Sequence, residues 1–158
     1  MNINSDLLVD GRSLGTMKND LSIIYQDLEN RGAVRLYYNT GEVGQGDFFT
    51  YDLSPYKEFY IFCKVSTTIN AVSVLHIPYK GLDYQATFCI WLEDKGSDGN
   101  TMGDSLIKRD FVVNDSRIWC SWGTALGLGN HGSNAAVERS NLLIPYEVWG
   151  IKKGRFYN

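Results

Sequence analysis

The chain has 158 residues, of which 44% are hydrophobic, 21% charged and 13% aromatic, and its formal net charge is −3. This composition is typical of one folded domain with a small appendage and excludes a disordered chain. The negative net charge and the absence of a Lys/Arg cluster in the sequence argue against a nucleic-acid partner. No apolar run approaches the roughly 20 residues of a membrane span, so we expect no membrane insertion.

The first 32 residues predict a short strand followed by a helix. Residues 3–9 favour a strand, and Asp10-Gly11 favours a turn. The helix has an apolar seam with residues three and four apart, and Gly32 stands where a helix commonly ends. The seam consists of Leu14, Met17, Leu21, Ile24 and Leu28.

This seam is narrow, which favours a coiled coil over a helix that lies on its own domain. Leucine at the a positions with isoleucine at a d position favours three or four helices over two. We therefore expect a homotrimer, with residues 1–32 as a coiled-coil or attachment segment that contacts other proteins. The alternative, an amphipathic helix packed on the same chain, stays open at this point.

Residues 33–158 predict an antiparallel β-sandwich, jelly-roll-like, of about eight strands. The segments alternate with period two, are rich in β-branched and aromatic residues, and have no helical pattern between them. Pro145 marks the last segment as an edge or bulged strand. The predicted strands are residues 34–38, 48–53, 57–65, 70–77, 84–92, 105–113, 116–122 and 142–151.

Two glycine-containing loops resemble ligand-binding motifs only in part. Residues 94–105 place a glycine as an EF-hand loop does, but Gly96 and Ser105 stand where calcium ligands are needed. Residues 127–132 fit G-x-G-x-x-G within a long loop at 123–134, but no helix signal follows. We expect surface loops, with no metal and no cofactor.

The sequence contains no recognisable catalytic constellation. The two histidines, His76 and His131, lack metal-ligand spacing, and there is no nucleophile elbow. His76 alternates with valines and is predicted to pack within a strand. Carboxylates paired in space stay open as a source of glycosidase chemistry, but we expect a protein that is not an enzyme. Cys63, Cys89 and Cys120 lie within strands and are odd in number, so we expect buried free thiols.

Trp91 and Trp119 are the candidate ligand-contact aromatics. Each lies on a strand face that is otherwise polar. An exposed tryptophan among polar neighbours can stack on a sugar ring or on a protein partner. The alternative is that a second sheet or a neighbouring subunit covers these faces.

Several short segments resemble phage tail-fibre and related virion fibre proteins. They are Asp-Gly-Arg-Ser-Leu at 10–14, Leu-Tyr-Tyr-Asn-Thr at 36–40, Asp-Leu-Ser-Pro-Tyr at 52–56, and Leu-Ile-Pro-Tyr-Glu-Val-Trp-Gly-Ile-Lys at 143–152. The resemblance covers most of the chain as an order of elements, although a typical fibre also has a long shaft. It implies the distal β-sandwich domain of a homotrimeric virion protein, made in the host cytoplasm and attached to other virion proteins through residues 1–32.

The function implied is that of a non-enzymatic tail-fibre or tail-tip module that adsorbs to host surface glycan or protein. One alternative is a capsid or head fibre, or a decoration protein, with a purely structural role. Another is a cellular carbohydrate-binding module of lectin type.

Overall fold

Two antiparallel sheets form the architecture. A computed structural model describes residues 7–9, 12–66, 71–78, 84–95, 101–128 and 137–154, and within them it has twelve strands and one helix. The helix, α1, is Leu14–Asn30. The strands are β1 Leu7–Val9, β2 Arg12–Ser13, β3 Val34–Tyr38, β4 Gly46–Thr50, β5 Tyr56–Ser66, β6 Val72–Pro78, β7 Tyr84–Lys95, β8 Thr101–Val113, β9 Arg117–Cys120, β10 Gly123–Leu128, β11 Val137–Arg139 and β12 Leu142–Lys152. The prediction of a mainly β, antiparallel sandwich with one helix is confirmed.

The larger sheet has the order β11-β10-β8-β7-β1-β2, with β9 beside β8 and β4 beside β9. The smaller sheet has the order β3-β12-β5-β6. Alternate residues of both sheets point between them and form the main core. Its fully buried members include Phe59, Ile61, Phe111, Ile118 and Val148.

Helix α1 packs on the other face of the smaller sheet. Leu28 is 0% exposed and lies in a second apolar cluster with Phe62 and Ile151, while Leu21 and Ile24 pack partly buried against it. The ring of Tyr25 stacks on Phe62 with centroids 4.9 Å apart. The smaller sheet is therefore covered on both faces, by the larger sheet and by the helix.

The helix ends as its sequence predicts. Gly32 has φ 68°, the left-handed conformation that glycine adopts without steric cost. The N–H of Gly32 donates to the carbonyl of Glu29 at 3.0 Å, and that of Ala33 donates to the carbonyl of Leu28 at 2.9 Å. These two bonds form a Schellman motif, which turns the chain into β3.

Two expectations from the sequence are wrong in detail, and a third holds in one of its two forms. The predicted loop at 123–134 begins with strand β10, which pairs with β8. The strand with Pro145 is not at an edge, because β12 lies between β3 and β5; the expected bulge is present beside Pro145. Cys89 is exposed, whereas Cys63 and Cys120 are buried free thiols as expected.

Candidate functional site

Arg109 is a charged side chain that is fully buried between the sheets. It lies on β8 between Ile107 and Phe111 on the core face and is 0% exposed. Its guanidinium donates five hydrogen bonds to backbone carbonyls, and none of these goes to a carboxylate. The acceptors are the carbonyls of Ser121 at 2.8 Å, Leu142 at 3.1 Å, Leu143 at 3.3 Å, Gly44 at 3.1 Å and Val43.

These bonds join three separate parts of the backbone. One is the loop between β3 and β4, one is the junction of β9 and β10, and one is the start of β12. A planar guanidinium with five donors can span such a set, whereas a lysine ammonium is a single compact charge. Burying a charge without partners is costly. The burial of Arg109 therefore indicates that the backbone carbonyls that accept its hydrogen bonds are held in fixed positions.

The start of β12 has an unusual backbone beside Arg109. Leu143 is fully buried with φ 44°, a conformation rare for a bulky residue. Gly123 approaches it so closely that an added Cβ would lie 2.2 Å from the carbonyl oxygen of Leu142. This corner therefore requires glycine at position 123, and Arg109 binds the carbonyls on either side of the strained peptide.

The loop between β3 and β4, residues 39–45, is held in place from several directions. The N–H of Asn39 donates to the carbonyl of Tyr146 at 2.8 Å, and the Asn39 side chain closes a turn with Gly41. The hydroxyl of Ser140 donates to Glu42 at 2.5 Å. Together with the two bonds from Arg109, these contacts fix a glycine-containing loop that has no regular secondary structure of its own.

A cleft of about 320 Å³ opens along this loop. Its rim has the carboxylates of Glu42 and Asp47 and the amide of Asn39, and Tyr37 contributes an aromatic ring. That ring packs edge-on against Phe48 at 5.3 Å between centroids, which fixes it to the core. The complete lining is Tyr37, Asn39, Glu42, Val43, Gly44, Gln45, Gly46, Asp47 and Phe48.

Trp122 flanks the cleft and was not among the aromatics singled out in the sequence. An added Cβ on Gly44 would lie 3.4 Å from its Cη2 atom, so the indole packs beside the cleft lining. It is 37% exposed and is one of five exposed large hydrophobic side chains among the residues that the structure describes. The sequence analysis missed it because the predicted strand 116–122 places Trp122 on the face of Ile118 and Cys120, whereas β9 ends at Cys120.

The predicted aromatics share a sheet face but not a site. Trp91 lies opposite Leu106 and Trp119 opposite Val112, on the face of the larger sheet that points away from the core. Six residues of β8 separate these positions, or about 20 Å at ~3.3 Å per residue. Trp119 is nearer the cleft, because its partner on β4 is Asp47, which lines the rim.

The rim carboxylates already have partners. Asp47 is bound by Arg117, whose Nη1 lies 3.1 Å from one carboxylate oxygen and 3.2 Å from the other. Glu42 accepts the hydroxyl of Ser140 through one oxygen, Oε2. The rim therefore offers hydrogen-bond acceptors, but the negative charge of Asp47 is neutralised locally.

The seam of α1 is used at least in part within one chain. Leu28 is wholly covered by the smaller sheet, so it offers no surface to a second chain. Leu14 and Met17 belong to the helix, but their side chains lie outside the described part of the structure. The trimer stays a prediction, and Leu28 is not available to form it.

Polar contacts reinforce the docking of the helix. The Tyr25 hydroxyl donates to Glu147 Oε2 at 2.7 Å, and Trp149 Nε1 donates to the same oxygen at 3.0 Å. Burial, with these hydrogen bonds, raises the pKa of Tyr25, and burial raises the pKa of Tyr146 to about 12. Both tyrosines therefore stay protonated at neutral pH and act as donors beneath the helix.

His76 lies on the same face of the smaller sheet, at the end of the helix. Its ring stacks on Tyr60 at 4.6 Å, and Nε2 lies 3.2 Å from Glu58. Burial acts to raise the pKa of Glu58, but the hydrogen bond and charge of Arg31 outweigh it, and the pKa is lowered. The expected packed histidine is thus stacked on one side, while its other side is exposed to solvent.

No protein-family model, curated protein or solved structure matches this chain. In the part that the structure describes, no three His, Cys, Asp or Glu side chains come together as a metal site. The helix that it describes is not long and apolar enough to cross a bilayer. Residues 96–100 of the partial EF-hand pattern and residues 129–132 of the G-x-G-x-x-G pattern lie outside the described residues. The remaining residues of the first pattern belong to β7 and β8 rather than to a loop, and Gly127 and Leu128 belong to β10.

Proposed function

We propose that this chain is a non-enzymatic module of a bacteriophage virion, a tail-fibre or tail-tip component that adsorbs to glycan or protein on the host surface. The observation behind this proposal is the cleft along residues 37–48. It is a shallow, open cleft lined by an aromatic residue and polar residues, and it lies on a loop anchored to the core by Arg109. A preformed cleft with a few convergent polar groups is the usual form of a binding site.

Fixing the loop before the ligand arrives lowers the entropy cost of binding. This gives the buried arginine a role in binding as well, because an apolar residue in its place would leave the loop carbonyls of Val43 and Gly44 without these donors. The tail-fibre assignment itself depends on the resemblance of the short segments described above. The homotrimer and attachment through residues 1–32 belong to the same proposal.

The test is adsorption to cells. Fluorescently labelled protein is mixed with a panel of bacterial strains, and the same protein is used to compete with phage adsorption to any strain that binds it. We expect saturable binding to at least one strain and a fall in the phage adsorption rate. Absence of binding to every strain permissive for the phage would contradict the receptor-binding role.

A second measurement separates binding from catalysis, because two carboxylates line the cleft. Chromogenic aryl glycosides are incubated with the protein at high concentration. We expect no release of the aryl group above the background rate. Release that is lost in Glu42→Gln would show instead that the module is a glycosidase.

A further inference from the structure

The chemistry of the cleft selects among the ligands that an adsorption module can bind. The lining includes the Glu42 and Asp47 carboxylates, which only accept hydrogen bonds, and the Asn39 amide, whose oxygen already accepts the N–H of Gly41. Among the described residues, those that line the cleft include no lysine or arginine, and the neighbouring Arg117 is paired with Asp47, so an anionic ligand would meet carboxylate oxygens there. A ligand rich in hydroxyl donors suits such a rim.

Aromatic side chains supply the complementary apolar surface. The Tyr37 ring lies in the cleft and Trp122 lies on its flank beside Gly44. The C–H face of a pyranose ring packs against the face of an aromatic ring, while its hydroxyls stay free for hydrogen bonds. Aromatic residues with an apolar body and a wet edge are well suited to this contact.

The dimensions agree with a small ligand. At about 320 Å³ the cleft is near the lower end of the ~300–1,000 Å³ typical of ligand pockets. It therefore fits one or two sugar rings rather than an extended chain. Its loop is fixed by Arg109 and by Tyr146, Gly41 and Ser140, so little ordering is required on binding.

We propose that the cleft along residues 37–48 binds a neutral saccharide ring, with hydroxyl groups donating to Glu42 and a ring face packed on Tyr37 or Trp122. This inference rests on the binding function proposed above and names its ligand class. Anionic sugars are disfavoured by the carboxylate of Glu42, which has no cation among the residues lining the cleft. Arg109 is a positioning residue for the loop and does not contact the sugar.

The test uses isothermal titration with single sugars as probes. The neutral probes are glucose, galactose, mannose, rhamnose and N-acetylglucosamine; N-acetylneuraminic acid is the anionic probe and choline the cationic one. We expect one or more neutral sugars to bind and the two charged probes not to bind. Binding of no neutral sugar, or stronger binding of either charged probe, would overturn the proposal.

Variants locate the site. Trp122→Ala and Glu42→Gln each alter exposed groups at the cleft, and we expect about tenfold weaker binding of the neutral sugar from each. Trp91→Ala is the matched control. Trp91 lies about 20 Å along β8 from Trp119, the tryptophan that is paired with Asp47 of the cleft rim. We expect this variant to bind the sugar as the wild type does. Unfolding curves confirm that each variant folds. Unchanged binding in both cleft variants would overturn the assignment.

The same variants in the cell-adsorption assay separate this inference from the proposed function. If the wild type adsorbs to cells and both cleft variants adsorb equally well, the cleft assignment is wrong and the adsorption function stands. If the wild type binds a neutral sugar in the cleft but adsorbs to no permissive strain, the virion function is wrong and the saccharide site stands.

Discussion

Replacing Arg109 with methionine removes the guanidinium that joins the β3–β4 loop, the β9–β10 junction and the start of β12. Methionine keeps an unbranched apolar stem in the core, so packing changes little while all five hydrogen bonds are lost. The perturbation therefore tests whether these bonds stabilise the fold.

The magnitude follows from which carbonyls are left without a donor. The bonds to Leu143 and Val43 are buried, whereas those to Ser121, Leu142 and Gly44 are partly buried and can be replaced by water. Each orphaned buried carbonyl costs about 1–3 kcal/mol, or about 2–6 kcal/mol for two. The variant also no longer buries a charge, which offsets part of this loss. We expect a net decrease of about 2–4 kcal/mol in the free energy of unfolding.

Urea unfolding followed by tryptophan fluorescence measures this change. For a domain of this size, 1 kcal/mol corresponds to about 2–4 °C in Tm, so the Tm of Arg109→Met should be lower than that of the wild type by about 4–16 °C. Arg109→Lys should be destabilised as well, because one ammonium cannot span the five carbonyls. Arg117→Met is the matched control: it removes an exposed arginine paired with Asp47 and should cost less than about 1 kcal/mol. An Arg109→Met variant as stable as the wild type would refute the reasoning.

Three further predictions concern packing and exposure. Gly123→Ala should prevent folding or severely destabilise the folded protein, because the added Cβ would clash with the carbonyl of Leu142. The expression level and the thermal unfolding curve of the variant measure this effect. Leu28→Ala should lower the free energy of unfolding by about 2–5 kcal/mol, because it leaves a cavity in the apolar cluster under the helix. Since Leu28 is buried within its own chain, this decrease should not depend on protein concentration in scanning calorimetry. In the native protein a thiol reagent at pH 8 should modify Cys89 alone, with Cys63 and Cys120 reacting only after unfolding, because burial raises the pKa of Cys120 to about 11.

Controls make these outcomes specific. Gly41→Ala is the control for Gly123→Ala, because its added Cβ would meet only the Asn39 side chain, at 3.6 Å. The prediction for Leu28→Ala would be contradicted by a Tm that rises with protein concentration in the wild type but not in the variant. That result would show that the seam joins chains, as the predicted trimer requires. Rapid labelling of more than one thiol in the native protein would contradict the third.

Much of the fold follows from local patterns that tertiary contacts did not override. Alternation within the predicted strand 84–92 places Phe88 and Ile90 on the face opposite Trp91. In the structure Phe88 and Ile90 pack in the core, and Trp91 lies on the outer face. The helix ended where Gly32 provided a left-handed residue. In both cases one short segment contains all the information needed.

The errors about β10 and α1 have a common physical cause, since each element depends on a partner distant in sequence. Strand β10 is rich in glycine and has weak strand propensity, and its pairing with β8 makes it a strand. The docking of α1 depends on the apolar outer face of the smaller sheet, which the helix sequence alone does not show. A narrow seam is therefore as well satisfied by a sheet as by other helices.

The candidate site was only partly accessible from sequence. Alternation with Ile107 and Phe111 places Arg109 on the core face, so its position was available as a signal, but a charged residue between Lys108 and Asp110 is normally assigned to the surface. Nothing in residues 39–45 indicates a cleft, because its shape comes from Arg109, Tyr146 and Ser140, which are far along the chain. Trp119 lies on the outer strand face to which the sequence assigned it, but no cleft was predicted beside it, and Trp122 was missed.

The central claim is that the cleft along residues 37–48 is the binding site, and the indole N–H signals of the four tryptophans test it most directly. In a ¹⁵N-labelled sample titrated with the neutral sugars above, we expect the Trp122 signal to shift in a saturable way while the signals of Trp91 and Trp149 stay in place. A titration that shifts only Trp91, or that leaves Trp122 unchanged while the sugar binds, would contradict it.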